Sequence, residues 1–271
     1  MILCGGRGTR LQEHTQAIPK PLVEIGGMPI VWHVIQLYAV QGFRRFLLAT
    51  GYRGELIEEF AAGHEWPAGV DVECVDTGLE TQTGGRIKRL ERRLSGDEMF
   101  CASYSDGVAD VDLDALLAFH HAHGALASMT VVRPQLQFGV TELDGDGRVT
   151  GFREKPTSEH WINGGFFCFS AAVLDHLDAD SVLERAPLER LAAAGELRAR
   201  RHEGFWECMD TYKDAVALND LWASGEAPWR LWGDEAGELS GQDAGEAQAG
   251  SRRARNNGTG SRMPRRRRSP A

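Results

Sequence analysis

The chain has 271 residues, of which 42% are hydrophobic and 25% are charged, and its formal net charge at pH 7 is -9. This is enough apolar material for one large domain or two small ones, and no apolar run reaches the roughly 18 residues of a membrane span. The negative charge argues against general nucleic-acid binding. Five dispersed cysteines without a CxxC pair indicate reduced thiols in a cytoplasmic protein, and the glycines from residue 5 onward leave no room for a signal peptide.

Short apolar runs alternate with helical patterns over the first 232 residues. In chain order, we predict a strand at 2–4, a helix at 29–40, a strand at 46–50, a helix at 55–62, a strand at 70–75, a basic helix at 86–94, a strand at 99–104, a helix at 113–121, strands at 127–132 and 164–169, and a helix at 214–221. The segment 140–152 contains the turn sequence DGDG and predicts an antiparallel hairpin. The alternation predicts an α/β fold with a mixed, mostly parallel sheet flanked by helices.

The composition changes at residue 233, which predicts two units. Residues 1–232 form the folded domain, and Trp229 and Trp232 are expected to pack its last segment onto the rest. Residues 233–271 are rich in Gly, Ala and Arg and lack aliphatic side chains, so we expect this tail to be disordered. Its arginines could touch nucleic acid, but a solvated extension without a dedicated role is the favoured interpretation.

A glycine-rich loop follows the first strand directly, with the sequence GGRGTRL at residues 5–11. Glycines let backbone N–H groups approach a phosphate closely. The loop is not a Walker A motif, which needs GK[ST], and Leu11 stands where a dinucleotide fingerprint needs its third glycine. Taken alone, the loop could still be a structural turn.

Cationic side chains are placed where they could offset the negative net charge. Lys20 stands between two prolines that stiffen its backbone, and Lys155 is also followed by a proline. Together with Arg7 and Arg10 they would neutralise several phosphate charges, although a proline-bracketed lysine also occurs in plain turns.

Two aspartates are candidates for a magnesium site. Asp106 follows the strand at 99–104, and open α/β sheets bind ligands at that edge. A carboxylate there can hold Mg²⁺ against phosphates. Asp112 and Asp110 are typical of a helix cap and a turn. From the residues alone, Asp210 is also interpreted more readily as a cap of the last helix than as a metal ligand.

Seven motifs occur in the order found in nucleotidyl sugar pyrophosphorylases, and the chain resembles that family. They are GGRGTRL (5–11), PKPLVEIGGMPIVWH (19–33), TGGRIKRL (83–90), SDGVADVD (105–112), FREKP (152–156), INGGFF (162–167) and FWECMDT (205–211). In detail the chain is similar to the glucose-1-phosphate cytidylyltransferase branch. The resemblance covers essentially all of residues 1–232.

The resemblance implies a Rossmann-like nucleotide-diphospho-sugar transferase fold and a reaction that joins CTP to glucose 1-phosphate, giving CDP-glucose and pyrophosphate. It implies a catalytic set of Arg10, Lys20 and Asp106, and a Mg²⁺ ion shared by Asp106 and Asp210. The nucleotide-binding residues would be Leu3, Gly5, Gly6, Gly8, Thr9, Thr83, Gly84 and Arg86. The sugar-phosphate-binding residues would be Glu154, Lys155, Asn163 and Gly164. Phe205 and Trp206 border the sugar site or belong to the core, and both interpretations stay open.

Alternatives remain at this stage. The same reaction could use dTTP, UTP or GTP, or another hexose 1-phosphate, and a short loop at 63–69 departs from the branch. The first strand is also shorter than in the family, and we expect a misplaced start codon. A non-catalytic sugar-nucleotide-binding regulator is a further hypothesis. The resemblance further implies a cytoplasmic homo-oligomer that supplies deoxysugar or polysaccharide synthesis, with no nucleic-acid or membrane partner.

Overall fold

The protein is built on a seven-stranded sheet. The computed structural model describes residues 1–8 and 18–233. Within them the strands are β1 (Ile2–Leu3), β2 (Glu24–Ile25), β3 (Met28–Pro29), β4 (Arg45–Thr50), β5 (Asp71–Asp76), β6 (Met99–Tyr104), β7 (Gly107–Ala109), β8 (Ala127–Val132), β9 (Val140–Leu143), β10 (Val149–Arg153), β11 (Ile162–Ser170), β12 (Leu197–Arg201) and β13 (Trp206–Cys208). The helices are α1 (Ile30–Val40), α2 (Gly54–Gly63), α3 (Thr83–Arg89), α4 (Leu113–His123), α5 (Ala186–Ala193) and α6 (Tyr212–Ala223), with 3₁₀ turns at Lys20–Leu22 and Ala171–His176.

The large sheet has the order β5-β4-β1-β6-β11-β8-β12. Strands β5, β4, β1 and β6 pair in parallel, and β8 pairs in parallel with β12. Only β11 runs antiparallel to its neighbours β6 and β8 among these strands of the described chain. The predicted α/β fold with a mixed, mostly parallel sheet is therefore confirmed. The carboxyl ends of six strands and the amino end of β11 meet at one edge.

Alternation along the central strands gives each face of this sheet its own apolar layer. Leu47 and Ala49 of β4 and Phe167 and Phe169 of β11 lie in one buried cluster, which α3, α5 and the turn Ala171–His176 cover. Helix α1 covers the other face, where the Tyr38 ring stacks on Phe166. Because both faces are covered, β4 is buried at five of its six positions, as is typical of parallel strands.

The end of the domain packs onto α1 through aromatic side chains. Trp229 and Trp232 are buried, and the Trp232 ring meets the Trp32 ring edge-on at 5.5 Å between centroids. The prediction that these tryptophans fasten the last segment is therefore confirmed. Residues Met1–Trp232 form one compact unit. The predicted tail lies outside the described residues from residue 234 onward, and its disorder stays a prediction.

The predicted elements up to residue 169 are all present, including the antiparallel hairpin, which is β9 and β10. Helix α3 spans Thr83–Arg89 instead of the predicted 86–94. The prediction placed its start too late because the two glycines in its first turn have low helix propensity. The elements between residues 171 and 208, namely α5, β12 and β13, were missed. In the described part of the chain, no helix is long and apolar enough to cross a membrane.

Candidate functional site

A cleft of about 350 Å³ opens at the carboxyl edge of the sheet beside β1. The chain passes from β1 to β4 on one side and returns to β6 on the other, and ligands bind at such a switch of strand order. The cleft is lined by Leu3, Gly5, Gly6, Gly8, Lys20, Pro21, Thr81, Gln82, Thr83, Arg86, Tyr104, Ser105 and Asp106. The structure therefore brings together most of the residues predicted to bind nucleotide. Thr9 and Arg10 lie outside the described residues.

The glycine loop leaves β1 in close contact with Arg86. A Cβ atom on Gly5 would lie 2.0 Å from the Arg86 guanidinium, whereas one on Gly6 would meet nothing within 4 Å. Gly8 has a φ of +59°. A side chain at position 5 would thus displace the Arg86 guanidinium, while the open face at Gly6 leaves room for a ligand to approach the backbone.

Arg86 holds the loops of this edge together. Its guanidinium donates to the carbonyl oxygens of Gly5, Thr50 and Gly78 at 2.8–2.9 Å. Burial lowers the pKa of Arg86, with its neighbour Arg89 adding to the effect. These bonds tie the ends of β1 and β4 to the loop after β5. The predicted contact of Arg86 with a nucleoside stays a prediction.

Gly84 lies beneath the cleft at the start of α3. A Cβ atom there would lie 2.8 Å from Cβ of Ser181. The glycine thus permits close packing of α3 against residues 179–183, and its predicted nucleotide contact stays a prediction.

Lys20 and two aspartates meet at the far end of the cleft. The Lys20 ammonium donates to Asp106 Oδ2 at 2.5 Å and to Asp210 Oδ1 at 2.7 Å. Burial by itself would lower the pKa of Lys20, but the charge of Asp106 and the bonds to both carboxylates outweigh it, so that this pKa is raised. The lysine therefore stays charged and bridges the two aspartates.

Backbone pairing brings Asp106 and Asp210 close together. Strand β7, just after Asp106, pairs with β13, just before Asp210, and the Met209 N–H donates to the Asp106 carbonyl at 2.9 Å. The cap of α6 is Thr211, which forms a capping box with Asp214. The interpretation of Asp210 as the helix cap was therefore wrong. Asp112 does cap α4, as predicted, by accepting from the Ala115 N–H at 2.8 Å.

The residues of this cluster suit a divalent cation. Carboxylate oxygens are the ligands that Mg²⁺ takes, often two of them together with phosphate oxygens. The Lys20 ammonium already lies between the two carboxylates, so the geometry accepts a positive charge there. Cys208 Sγ belongs to the same group, in which all ligand atoms lie within 4.8 Å of one another.

A second cavity, of about 360 Å³, adjoins the first. It is lined by Tyr104, Asp106, Gly107, Asn163, Gly164, Gly165, Phe166, Glu184, Trp206, Cys208 and Asp210. The predicted sugar residues Asn163 and Gly164 are therefore in this wall, and Trp206 borders the cavity, donating from its indole N–H to the Gly164 carbonyl at 2.8 Å. Tyr104 and Asp106 belong to both cavities. The cluster of Lys20 and the two aspartates thus lies where the cavities join.

A chain of hydrogen bonds crosses this junction. The Tyr104 hydroxyl donates to Glu184 Oε1 at 2.5 Å and accepts from Asn163 Nδ2 at 3.1 Å. Thr83 Oγ1 donates to the other Glu184 oxygen at 2.6 Å. Burial, with the nearby charge of Glu184, raises the pKa of Tyr104, so this hydroxyl remains a donor. Sequence reasoning missed Glu184 and Tyr104, although the end of β6 was a position at which Tyr104 could have been noticed.

Glu154 and Lys155 lie apart from the two cavities. They follow β10, their side chains are largely exposed, and neither is among the residues that line the two cavities in the described structure. Lys155 has a φ of +43°, which is unusual for a residue with a side chain. The structure does not bring these two predicted sugar-phosphate residues to the site, and their contact with ligand stays a prediction.

A family model described as nucleotidyl transferase matches residues 1–211. The chain belongs to this family. It is 42% identical over 254 residues to a glucose-1-phosphate cytidylyltransferase of Salmonella typhi, covering 86% of this chain and 98% of that protein. It is 39% identical over 253 residues to a probable glucose-1-phosphate cytidylyltransferase of Bacillus subtilis strain 168, covering 86% and 99%.

A solved structure shares the fold of this nucleotidyl transferase. The crystal structure of HddC from Yersinia pseudotuberculosis aligns with a TM-score of 0.65 at 22% identity, over 82% of this chain and 97% of that one. At this identity the likeness concerns the fold, and it agrees with the sheet described above.

Proposed function

We propose that this protein transfers the cytidylyl group of CTP to glucose 1-phosphate and releases pyrophosphate, giving CDP-glucose. The observation that carries the proposal is the junction of two cavities at Asp106 and Tyr104, because a two-substrate transfer needs adjoining sites with the reacting atoms between them. The choice of CTP and glucose 1-phosphate rests on the relatives that are 39–42% identical over nearly their whole length.

In the reaction, an oxygen of the sugar phosphate attacks the α-phosphorus of the nucleotide in line. One oxygen–phosphorus bond forms, the bond between the α- and β-phosphates breaks, and pyrophosphate leaves. The attacking phosphate is ionised at neutral pH, so the site needs no general base. Catalysis then consists of positioning and charge stabilisation.

Different residues of the two cavities would provide the positioning and the charge stabilisation. The open backbone at Gly6 receives the triphosphate, and Lys20 places a permanent positive charge beside the reacting phosphates. Tyr104, Asn163 and Glu184 present hydroxyl, amide and carboxylate groups to the acceptor sugar. We include Arg10 and Lys155 as further phosphate ligands, on the family resemblance alone.

A divalent cation, which we propose to be Mg²⁺, would be held by Asp106 and Asp210 and would neutralise phosphate charge when bound. The pairing of β7 with β13 brings the two aspartates close enough for both to contact the Lys20 ammonium, so both can face one cation.

The experiment measures pyrophosphate release with Mg²⁺ and glucose 1-phosphate across CTP, dTTP, UTP, ATP and GTP. Release with CTP well above the other four nucleotides is the expected result. Preferential release with another nucleotide would keep the reaction and overturn the base assignment. No release from folded protein with any of them would favour the binding-only alternative.

The cellular location and the oligomeric state of the protein are two further expectations. None of the five described cysteines forms a disulfide, in keeping with the proposed cytoplasmic location. A homo-oligomer stays a prediction from the family, and size-exclusion chromatography with light scattering tests it.

A further inference from the structure

Cys208 stands beside the two carboxylates of the cation site. It is the last residue of β13, and Asp210 lies two positions further along the chain. Cys208 and Asp210 both line the second cavity, whereas Met209 between them is fully buried. The Cys208 thiol therefore faces the same space as Asp210.

The three side chains are held as a set. Cys208 pairs with Gly107 across the β7–β13 ladder, directly after Asp106, and the Asp210 N–H donates to the Cys208 carbonyl at 3.0 Å. One oxygen of each aspartate and the Cys208 sulfur lie within 4.8 Å of one another. Zinc-type bonds of about 2.0 Å to oxygen and 2.3 Å to sulfur place ligand atoms at most about 4.3 Å apart. Small side-chain rotations would thus let all three reach one ion.

We propose that Cys208 can act as a third protein ligand at this cation site, so that the site also binds thiophilic divalent cations such as Zn²⁺ or Cd²⁺. Magnesium, a hard cation, would use only the two carboxylates, and the thiol would form no bond to it. A softer cation gains a sulfur–metal bond, with the thiol proton released to the buffer and the Lys20 ammonium leaving the carboxylates. The inference rests on the cation site of the proposed function, but it needs neither nucleotide nor turnover.

The test uses Cd²⁺ as the probe, added to the full chain in the absence of nucleotide. Ultraviolet absorption from thiolate-to-cadmium charge transfer should rise to saturation near one equivalent. In Cys208→Ser this band should be lost and Cd²⁺ affinity should fall at least about tenfold, the lower bound for groups around a metal site. The matched control is Cys74→Ser, because Cys74 is also half-buried but lies on β5, away from the cavities; it should keep the band.

Two further measurements keep the inference falsifiable if Cys208→Ser fails to fold. In the wild-type chain, Cd²⁺ should slow alkylation of Cys208 but not of Cys74, as mapped by mass spectrometry. In Lys20→Met, Cd²⁺ should bind more tightly, on the order of tenfold, because the ammonium that competes for the same carboxylates is gone. A charge-transfer band of equal strength in Cys208→Ser, or equal alkylation of Cys208 with and without Cd²⁺, would overturn the inference.

The outcome is separable from that of the proposed function. A band with no pyrophosphate release under Mg²⁺ would support the thiophilic site and reject the reaction. Release under Mg²⁺ without a band would do the reverse.

Discussion

Asp106 is shared by both cavities and contacts Lys20 at 2.5 Å, so its charge should matter more than that of any surface carboxylate. We expect Asp106→Asn to lower kcat for pyrophosphate release by about 10²–10³-fold, because it removes a preorganised electrostatic group without changing its size. Steady-state kinetics with CTP and glucose 1-phosphate measure the loss.

Asp112→Asn is the matched control for this substitution. It removes the same charge a few residues away, and asparagine caps a helix as well as aspartate does. Its turnover should stay within about twofold of wild type. Equal losses in the two variants would mean that general charge, and not the junction, determines the rate.

His33 predicts an acid-sensitive stability. Its Nε2 lies 2.8 Å from the Ile25 carbonyl, and Nδ1 lies 3.4 Å from the donor-only Trp229 indole N–H. The ring is therefore neutral with its proton on Nε2. Burial lowers the pKa of His33 from 6.5 to about 4. The unfolded chain binds this proton first, so stability is full above pH 6.5 and is lost as the pH falls towards 4.

Urea unfolding at pH 7 and pH 5 measures this effect. Between these two pH values, His33 should account for a loss of about 2 kcal/mol in the free energy of unfolding. His33→Gln can still donate to the Ile25 carbonyl but does not titrate, so it isolates this contribution from the other histidines. If wild type and His33→Gln lose the same stability between pH 7 and pH 5, the assignment is wrong.

The residues of the site were predictable where a local signal marked them. Proline bracketing drew attention to Lys20, and a strand end drew attention to Asp106. Asp210 was misread from the residues alone because Asp is a common helix cap, and only the structure shows that Thr211 is the cap. Glu184 could not be found, because its partners Thr83 and Tyr104 lie 80–101 positions away and no local pattern relates them.

At the scale of elements, α3 depends on two glycines that let it approach residues 179–183. A Cβ atom on Gly85 would lie 2.1 Å from the Ala179 carbonyl oxygen, and backbone cannot give way cheaply. We expect Gly85→Ala to destabilise the protein by about 1–3 kcal/mol and to raise KM for the sugar phosphate, since Glu184 follows the displaced segment. Urea midpoints and steady-state kinetics measure the two effects.

Gly63→Ala is the control, at the end of α2. A Cβ atom there meets nothing within 4 Å, so this change should be neutral or stabilising by up to about 1 kcal/mol.

The same two glycines explain why the bounds of α3 were predicted wrongly from the sequence. Glycine has a low helix propensity, so the glycines at 84 and 85 argue against a helix there. The close packing that requires them involves residues 179–183, which lie roughly 95 positions later in the chain.

At the scale of the whole molecule, the domain boundary can be tested by truncation. A chain ending at Gly233 should keep the melting temperature and turnover of the full chain, because Trp229 and Trp232 remain to cover α1. A chain ending at Gly225 loses both tryptophans and should lose at least about 3 kcal/mol of stability, the usual cost of removing one buried tryptophan. Reduced stability of the chain that ends at Gly233 would show that residues 234–271 belong to the folded domain.

Strand β11 lies between β6 and β8 and runs antiparallel to both. This direction affects which parts of the site can change independently among relatives. Asn163 and Gly164 reach the site from the beginning of a strand, whereas the glycine loop reaches it from the end of one. Residues 133–161 form the connection that leads into β11, and changes of length there would leave β1, β4 and β5 in register. Substitutions at Asn163 or Gly164 can thus alter the wall of the second cavity while the glycine loop after β1 stays in place.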